Sequence, residues 1–170
     1  MKNIRIAVAA LLSLSLSSCL FKEPVFKEGF TKPDATLTGV WMVESENHDP
    51  RERSYAVVAQ VGDALMIHYP VNEKGGTYME ARSLKVRERD LLQIRAVASF
   101  EDGLPAVGNA VYTVAWVEKT NAETLSIRVL SQEGDQTAGP AQAKKVLEDK
   151  GSDWNKLFGE AQVFTRLKDK

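Results

Sequence analysis

Cys19 is the only cysteine in this chain of 170 residues, and the residues before it are arranged so that its thiol could be modified. Lys2 and Arg5 give the chain a basic start, and an apolar run follows over residues 6–16. Two serines then place small side chains directly before the cysteine. A basic region, an apolar region and a small-residue cleavage site together form a secretory signal peptide, which the mature protein lacks. The pattern predicts a signal peptide over residues 1–18.

The end of this segment, Leu16-Ser17-Ser18-Cys19, resembles the lipobox of bacterial lipoproteins. The resemblance implies that the Cys19 thiol receives a diacylglyceryl group, that the chain is cut just before it, and that the new amino terminus is acylated too. Two or more acyl chains give stable anchoring, since each buried methylene contributes about 0.8 kcal/mol. Leu20 stands where Asp would imply retention at an inner membrane. The resemblance therefore implies the outer membrane, facing the periplasm, or the outer face of the cell membrane in a host with one membrane.

Two other interpretations of the same segment stay open. It could be an ordinary secretory signal with a chance cysteine, or an uncleaved anchor helix. A helix that spans a bilayer needs about 20 apolar residues, whereas the run over residues 6–16 is followed at once by serines and then by Lys22 and Glu23. The apolar run is too short to span a bilayer, which favours a cleaved signal peptide over an uncleaved anchor helix.

Composition limits what the mature chain can do. Residues 1–18 hold two of the 22 basic residues and no acidic residue, so 20 basic and 23 acidic residues remain, with a formal charge of -3. That balance argues against nucleic acid as a partner, because nucleic-acid binders carry a basic surface. With its cysteine acylated, the chain has no thiol for a disulfide, a metal or a nucleophile. We therefore expect no cofactor and no metal.

The mature chain divides into a tether and one domain. Residues 19–35 contain Pro24, Gly29 and Pro33 without a clear period, which predicts a lipidated tether. The alternative is that Phe21, Phe26 and Phe30 pack on the domain or enter the membrane interface. From residue 36 to 170, short runs rich in Val, Ile, Leu, Tyr and Trp alternate with turn residues, as in an all-β domain. Eight runs are predicted as strands: 37–45, 55–61, 64–70, 77–87, 91–98, 110–118, 123–130 and 161–167.

Short connections between these runs predict antiparallel neighbours. Gly62-Asp63 is a two-residue hairpin signal, residues 72–76 form a longer loop, and Arg89-Asp90 predicts a tight reversal. Residues 99–109 are predicted as an open loop. Residues 138–158 are predicted as helix with a break at Gly151, after which Trp154, Leu157 and Phe158 share one face. The fold class is therefore mainly β: an antiparallel meander or barrel of about eight strands, with a helical segment before the last strand.

The ends of the domain carry a second resemblance. Gly39-Val40-Trp41 opens the first strand and Arg166 lies in the last one, which resembles the Gly-x-Trp motif and the partner arginine of lipocalin-like families. The resemblance implies a barrel closed at one end by Gly39, Trp41 and Arg166. The chain also resembles small bacterial lipoproteins of unknown activity.

A barrel of eight strands leaves room for its own side chains or for one small ligand. A small apolar ligand would then be lined by some of these residues: Trp41, Val57, Leu65, Ile67, Val111 and Leu125. The alternative is a fully packed core, with the protein acting as an envelope scaffold through its outer surface or through the loop over residues 99–109.

Catalytic patterns are sparse. Glu44, Glu46 and His48 would share one face of an extended segment, which could form a weak cation site but is more typical of a solvated acidic loop. His68 lies within a predicted strand, where a histidine is more typical of a sheet surface than of a catalytic base. Ser54 or another serine could form a catalytic triad with His68 and an Asp, but the sequence has no nucleophile-elbow spacing that would support one. We therefore expect a protein that is not an enzyme.

The densest basic region comprises Arg82, Lys85, Arg87, Arg89 and Arg95, interleaved with acidic residues. Because side chains alternate across a strand, Lys85 and Arg87 point away from their apolar neighbours. This pattern is typical of a wet outer face, and the functional alternative is a patch for acidic envelope polymers or lipid headgroups.

Overall fold

A computed structural model describes residues 20–43, 53–72, 75–101, 104–106, 110–131 and 139–168. The strands are β1 (Phe30–Thr31), β2 (Gly39–Val43), β3 (Ser54–Val61), β4 (Ala64–Asn72), β5 (Gly75–Val86), β6 (Arg89–Glu101), β7 (Leu104–Ala106), β8 (Tyr112–Asn121), β9 (Thr124–Val129) and β10 (Gln162–Arg166). Helices α1 (Pro140–Glu148) and α2 (Trp154–Leu157) lie between β9 and β10, and a single 3-10 turn covers Ala35–Leu37.

Eight strands close into an antiparallel barrel. Their order is β5, β4, β3, β2, β10, β9, β8 and β6, and β6 pairs again with β5. The short strands β1 and β7 pair with the ends of β5 and β6 outside this ring. Closure gives every barrel strand a neighbour on both sides, which removes the exposed edges of an open sheet. The prediction of an eight-stranded barrel with a helical segment before the last strand is confirmed.

The hairpin turns follow from local conformation. Gly62 has φ +60 in the predicted turn between β3 and β4. Arg87 and Glu88 have φ values of 51 and 65, and positive φ at both central residues is what a two-residue type I′ turn requires. Arg87 and Glu88 join β5 to β6. The predicted reversal at Arg89-Asp90 is wrong, because Arg89 and Asp90 are already paired with β5 as the first residues of β6.

Strand β6 is longer than the sequence pattern indicated. It continues to Glu101, and Leu104–Ala106 returns beside it as β7, with Phe100 opposite Pro105. The prediction of an open loop over residues 99–109 is therefore wrong for its described part, because backbone pairing does not need the apolar alternation that was used to find strands. Residues 102–103 and 107–109 lie outside the described residues.

The helical segment has the predicted break. Pro140 occupies the first turn of α1, where its missing N–H is tolerated. The Asp153 carboxylate then accepts a hydrogen bond from the Asn155 N–H and caps α2. Trp154 and Leu157 on α2 are buried, so this short helix is held by packing on the barrel wall.

Alternation along the strands divides the apolar side chains into two cores. The inner cluster lies inside the barrel and consists of Leu37, Trp41, Val43, Ala56, Leu65, Ala81, Leu92, Val117, Leu125 and Phe164. The outer cluster lies between the barrel wall and the helices and consists of Phe21, Val25, Phe26, Leu84, Val86, Leu91, Val114, Trp116, Leu130, Ala143, Leu147, Trp154, Leu157 and Phe158. The segments outside the ring are therefore part of the folded domain.

The segment predicted as a tether belongs to this outer cluster. Phe21 is only 6% exposed, and Val25 and Phe26 are also buried. The buried Gln93 side chain accepts a hydrogen bond from Phe26 N at 2.7 Å and donates one to Phe26 O at 2.9 Å. The prediction of a free tether is wrong from Leu20 onward, and the alternative, in which the phenylalanines pack on the domain, describes the structure.

Candidate functional site

One end of the barrel is closed by the contact that the lipocalin-like resemblance implied. The Trp41 ring is 2% exposed, and its Nε1 donates to Leu37 O at 2.9 Å. The Arg166 guanidinium carbon lies 4.7 Å from the centre of that ring. Arg166 Nη2 also donates to the carbonyl of Thr36. A cation–π contact and a charge-assisted hydrogen bond thus join β2, β10 and the 3-10 turn at this end.

Gly39 is required by the same contact. Its φ is +129, and a Cβ there would lie 3.3 Å from Arg166 Nη1. This backbone conformation is one that other residues rarely adopt. The absence of a side chain lets the guanidinium approach the backbone beside the indole. Gly39, Trp41 and Arg166 therefore form one unit, which we call the closure contact.

Most residues predicted to line a ligand cavity do face the interior. Trp41, Leu65 and Leu125 are buried members of the inner cluster, and Ile67 is partly buried against it. The strand register explains why these side chains share the interior. Trp41 pairs with Ala56, so both face the same side of the sheet, and every second residue along each strand faces that side too. The inner surface of β2, β4 and β9 is thus apolar, as the sequence predicted.

One of the predicted lining residues, Val57, does not belong to this surface. Val57 is 40% exposed and lies between Ala56 and Val58, which both pack in the interior. Strand alternation therefore places Val57 on the outer face. The expectation that Val57 lines the cavity is therefore wrong. Val111 precedes β8 and is partly buried, and its carbonyl accepts a hydrogen bond from Ala96 N at 3.0 Å. It is two residues before Thr113 and so has the inward parity, and its place in the cavity lining stays a prediction.

Sequence reasoning missed four small inward-facing side chains on β5 and β8, which lie on either side of Leu92 and Ile94 of β6. Ala81 on β5 and Ala115 on β8 are both 0% exposed. Ser83 and Thr113 have the same inward parity as these alanines. Their hydroxyl oxygens are buried and have no hydrogen-bond partner within the described part of the chain. The alternation of Ala81 and Ser83 with outward-facing residues could have indicated small inward side chains on β5, but not that a hydroxyl lacks a partner.

Another polar group lies on β4, the strand that pairs with β5. Tyr69 on β4 is partly buried beside Phe164, with ring centres 6.2 Å apart. Burial raises the pKa of its phenol because the phenolate would be poorly solvated, and a hydrogen bond with the Ser54 side chain opposes that rise. The phenol therefore stays neutral near pH 7. It is a further hydroxyl group in the interior, beside those of Ser83 and Thr113.

The candidate catalytic pair, Ser54 and His68, is not brought together as an active site. The Ser54 side chain forms a hydrogen bond with the Tyr69 side chain. The His68 ring stacks on Tyr78 at 4.2 Å with an interplanar angle of 9°, on the strand face opposite Ile67. The histidine is thus engaged in packing between β4 and β5, as an ordinary surface histidine of a sheet would be.

A cluster of arginine and tryptophan side chains lies outside the barrel. The Arg89 guanidinium carbon is 4.4 Å from the Trp116 ring centre and 4.7 Å from that of Trp154. Arg128 lies 5.5 Å from Trp116. Arg87 donates to the carbonyls of Asp149, Ser152 and Lys150, with donor–acceptor distances of 2.5, 3.3 and 2.9 Å. These cations hold the helical segment against β6, β8 and β9.

The rest of the basic region is largely neutralised. Arg95 forms an ion pair with Glu80 at 2.7 Å, and Arg82 contacts the same carboxylate at 3.5 Å. Lys85 pairs with Asp90 at 3.5 Å. Arg82 also borders a surface recess of about 290 Å³ whose other lining residues are Phe30, Thr31, Lys32 and Asp63. The outer-face interpretation accounts for Arg82 and Arg95. It is wrong for Lys85, because Leu84 and Val86 face outward in the outer cluster and alternation places Lys85 on the same side as Ser83, at the end of the barrel.

Several expectations fall on residues that the structure does not describe. Cys19 and the signal peptide lie outside the described residues, as do Glu44, Glu46 and His48. Among the residues that are described, no group of three or more His, Cys, Asp or Glu side chains is placed to hold a metal ion. The same part of the chain contains no helix with the length and apolar character needed to cross a bilayer.

Comparison with known proteins adds no assignment: no family model, curated protein or solved structure matches the chain.

Proposed function

We propose that this chain is a lipid-anchored envelope protein that binds a small apolar molecule inside its β-barrel. The observation that carries the binding proposal is the pair of buried hydroxyls without partners, Ser83 and Thr113, near the small side chains of Ala81 and Ala115. A buried hydroxyl without a partner costs about 1 to 3 kcal/mol. Binding sites for small molecules combine an apolar lining with a few polar groups that fix orientation. An apolar ligand with one polar end would contact this lining and pair with the hydroxyls.

The anchoring proposal is supported by the amino-terminal sequence. Leu16-Ser17-Ser18-Cys19 ends a segment that begins with basic residues and continues with an apolar run. Acylation of Cys19 would hold the protein at an outer membrane facing the periplasm, or on the outer face of a single cell membrane. The proposal assigns the protein a binding role and no catalysed reaction.

The ligand is tested on protein isolated from its own host. Native mass spectrometry should show a bound small molecule on the wild-type chain, and organic extraction should release it. Ala115→Leu adds bulk to the interior, and overpacking costs about 1 to 3 kcal/mol in a filled core. We expect this variant to fold and to lose the ligand, whereas Ala59→Leu on the outward-facing side of β3 keeps it.

Two outcomes would refute ligand binding. The wild-type chain could carry no co-purifying molecule, or Ala115→Leu could retain as much ligand as Ala59→Leu. Thr113→Val removes one hydroxyl at nearly constant volume and should weaken retention of a ligand with a polar end.

The anchor has its own test in growing cells. Cys19→Ala should abolish incorporation of radiolabelled fatty acid and leave the precursor uncleaved, whereas Ser15→Ala should incorporate and process normally. Recovery of a processed chain with a free Cys19 thiol would show that the signal is an ordinary secretory one.

The scaffold alternative is favoured by one feature of the outer surface. Val40 on β2 pairs with Val57 on β3, and Leu167 N donates to Val40 O at 2.9 Å, so three exposed apolar side chains lie in one row. A photocrosslinking residue at position 57 should capture one discrete protein complex in cells if this row is an interface. The same residue at the exposed position 145 is the control, and equal labelling from both positions would remove the alternative.

A further inference from the structure

The chain leaves no slack between the proposed lipid anchor and the barrel. Phe21 N donates to Tyr112 O at 2.8 Å, and Tyr112 N donates to Phe21 O at 2.8 Å. This pair of bonds ties the segment to the start of β8. The Phe21 side chain is buried in the outer cluster, so both the backbone and the side chain of this residue are fixed.

Covalent geometry sets the distance from Cys19 to this point. Consecutive Cα atoms are about 3.8 Å apart across a trans peptide, so two peptide bonds span at most about 7.6 Å. An acyl chain on Cys19 would therefore enter the membrane within about one strand spacing or two of the barrel wall. A domain on a free tether could instead take any orientation.

We infer that the amino-terminal end of β8 and the adjoining part of β6 lie directly against the lipid headgroups and hold the barrel in one orientation. This inference rests on the proposed acylation of Cys19. The partner of this surface is the bilayer that carries the anchor.

The surface beside the anchor suits that contact. Leu20 is 47% exposed, and Val97 on β6 is 42% exposed. Ala96 N donates to Val111 O at 3.0 Å, which places Val97 next to the strand that begins at Tyr112. Exposed apolar side chains on the same side of the barrel as a lipid anchor gain by burial in the interface between headgroups and acyl chains.

The opposite side of the barrel then faces away from the membrane. In the ring order, β8 and β2 are separated by β9 and β10, and β6 and β3 are separated by β5 and β4. The exposed row of Val40, Val57 and Leu167 is therefore directed toward the compartment rather than the lipid.

Site-specific quenching on the full acylated chain tests the orientation. Because Cys19 carries lipid, a second cysteine can be labelled alone, and Val97→Cys and Val57→Cys form a matched pair with 42% and 40% exposure. An environment-sensitive fluorophore is attached at each position, and the protein is placed in vesicles of phosphatidylethanolamine and phosphatidylglycerol. We expect nitroxide-labelled headgroups to quench the label at position 97 several-fold more than the label at position 57.

A flexible Gly-Ser linker inserted between Leu20 and Phe21 leaves the bonds to Tyr112 intact and should remove this difference. Fatty-acid content is measured on the same samples, so the two levels of the proposal separate. Acylated protein with equal quenching at both positions would overturn the orientation alone. A chain without fatty acid would overturn the anchor and the orientation with it.

Discussion

Truncation of Arg166 gives the most direct measure of the closure contact. Arg166→Ala removes the guanidinium that lies 4.7 Å from the Trp41 ring centre and donates to Thr36 O. A cation–π contact contributes about 0.5 to 2 kcal/mol, and a hydrogen bond from a charged group about 1.5 to 3 kcal/mol. Because the two contributions overlap, we expect the free energy of unfolding to fall by about 2 to 4 kcal/mol. Arg166→Lys keeps the charge but loses the planar fork, so its loss should be intermediate.

Urea unfolding followed by tryptophan fluorescence measures this change. The dependence of the unfolding free energy on urea should be unchanged, because the barrel buries the same surface in each variant. Lys85→Ala is the control, since its partly exposed ion pair with Asp90 contributes less than about 1 kcal/mol. If Arg166→Ala were no more destabilising than Lys85→Ala, the closure contact would not be what holds β2, β10 and the 3-10 turn together.

Three further predictions concern other fixed points of the fold. Gly39→Ala forces a side chain into a backbone conformation at φ +129 and should cost about 1 to 3 kcal/mol in thermal or urea unfolding. The Lys119 ammonium lowers the pKa of the Asp34 carboxyl from 3.8 to about 2. The wild type should therefore lose up to about 1 kcal/mol of unfolding free energy as the pH falls from 3.8 toward 2, and Asp34→Asn should not show this loss. Gln93→Leu leaves the backbone N–H and C=O of Phe26 without partners and should cost at least about 2 kcal/mol; unchanged amide exchange of the amino-terminal segment would contradict that prediction.

Strand positions were predicted well because the signal is local. In β4, Leu65, Ile67 and Tyr69 alternate with more polar residues, and all three pack in the inner cluster. The Gly62 turn and the break between α1 and α2 were likewise visible from neighbouring residues. Each of these features depends on side chains within a few positions along the chain.

The candidate site was predicted only in part, and β3 shows why. Its sequence has apolar residues at four consecutive positions, 56–59, so alternation does not identify the inward face. The pairing of Trp41 with Ala56 makes that choice and turns Val57 outward. The unpaired hydroxyls of Ser83 and Thr113 could not be found from sequence for a related reason, since a serine or threonine in a strand does not reveal whether a partner lies across the barrel.

The sequence by itself determined the eight barrel strands and the helical segment, the turn between β3 and β4, and the residue pair of the closure contact, because periodicity and short motifs are properties of adjacent residues. Only the tertiary structure decided that the amino-terminal segment is part of the domain. Phe21 and Phe26 have no period that indicates burial, and their partners Tyr112 and Gln93 lie far away along the chain. Burial between such distant segments depends on the register of the closed barrel, which brings the outward-facing side chains of β6 and β8 to the same surface.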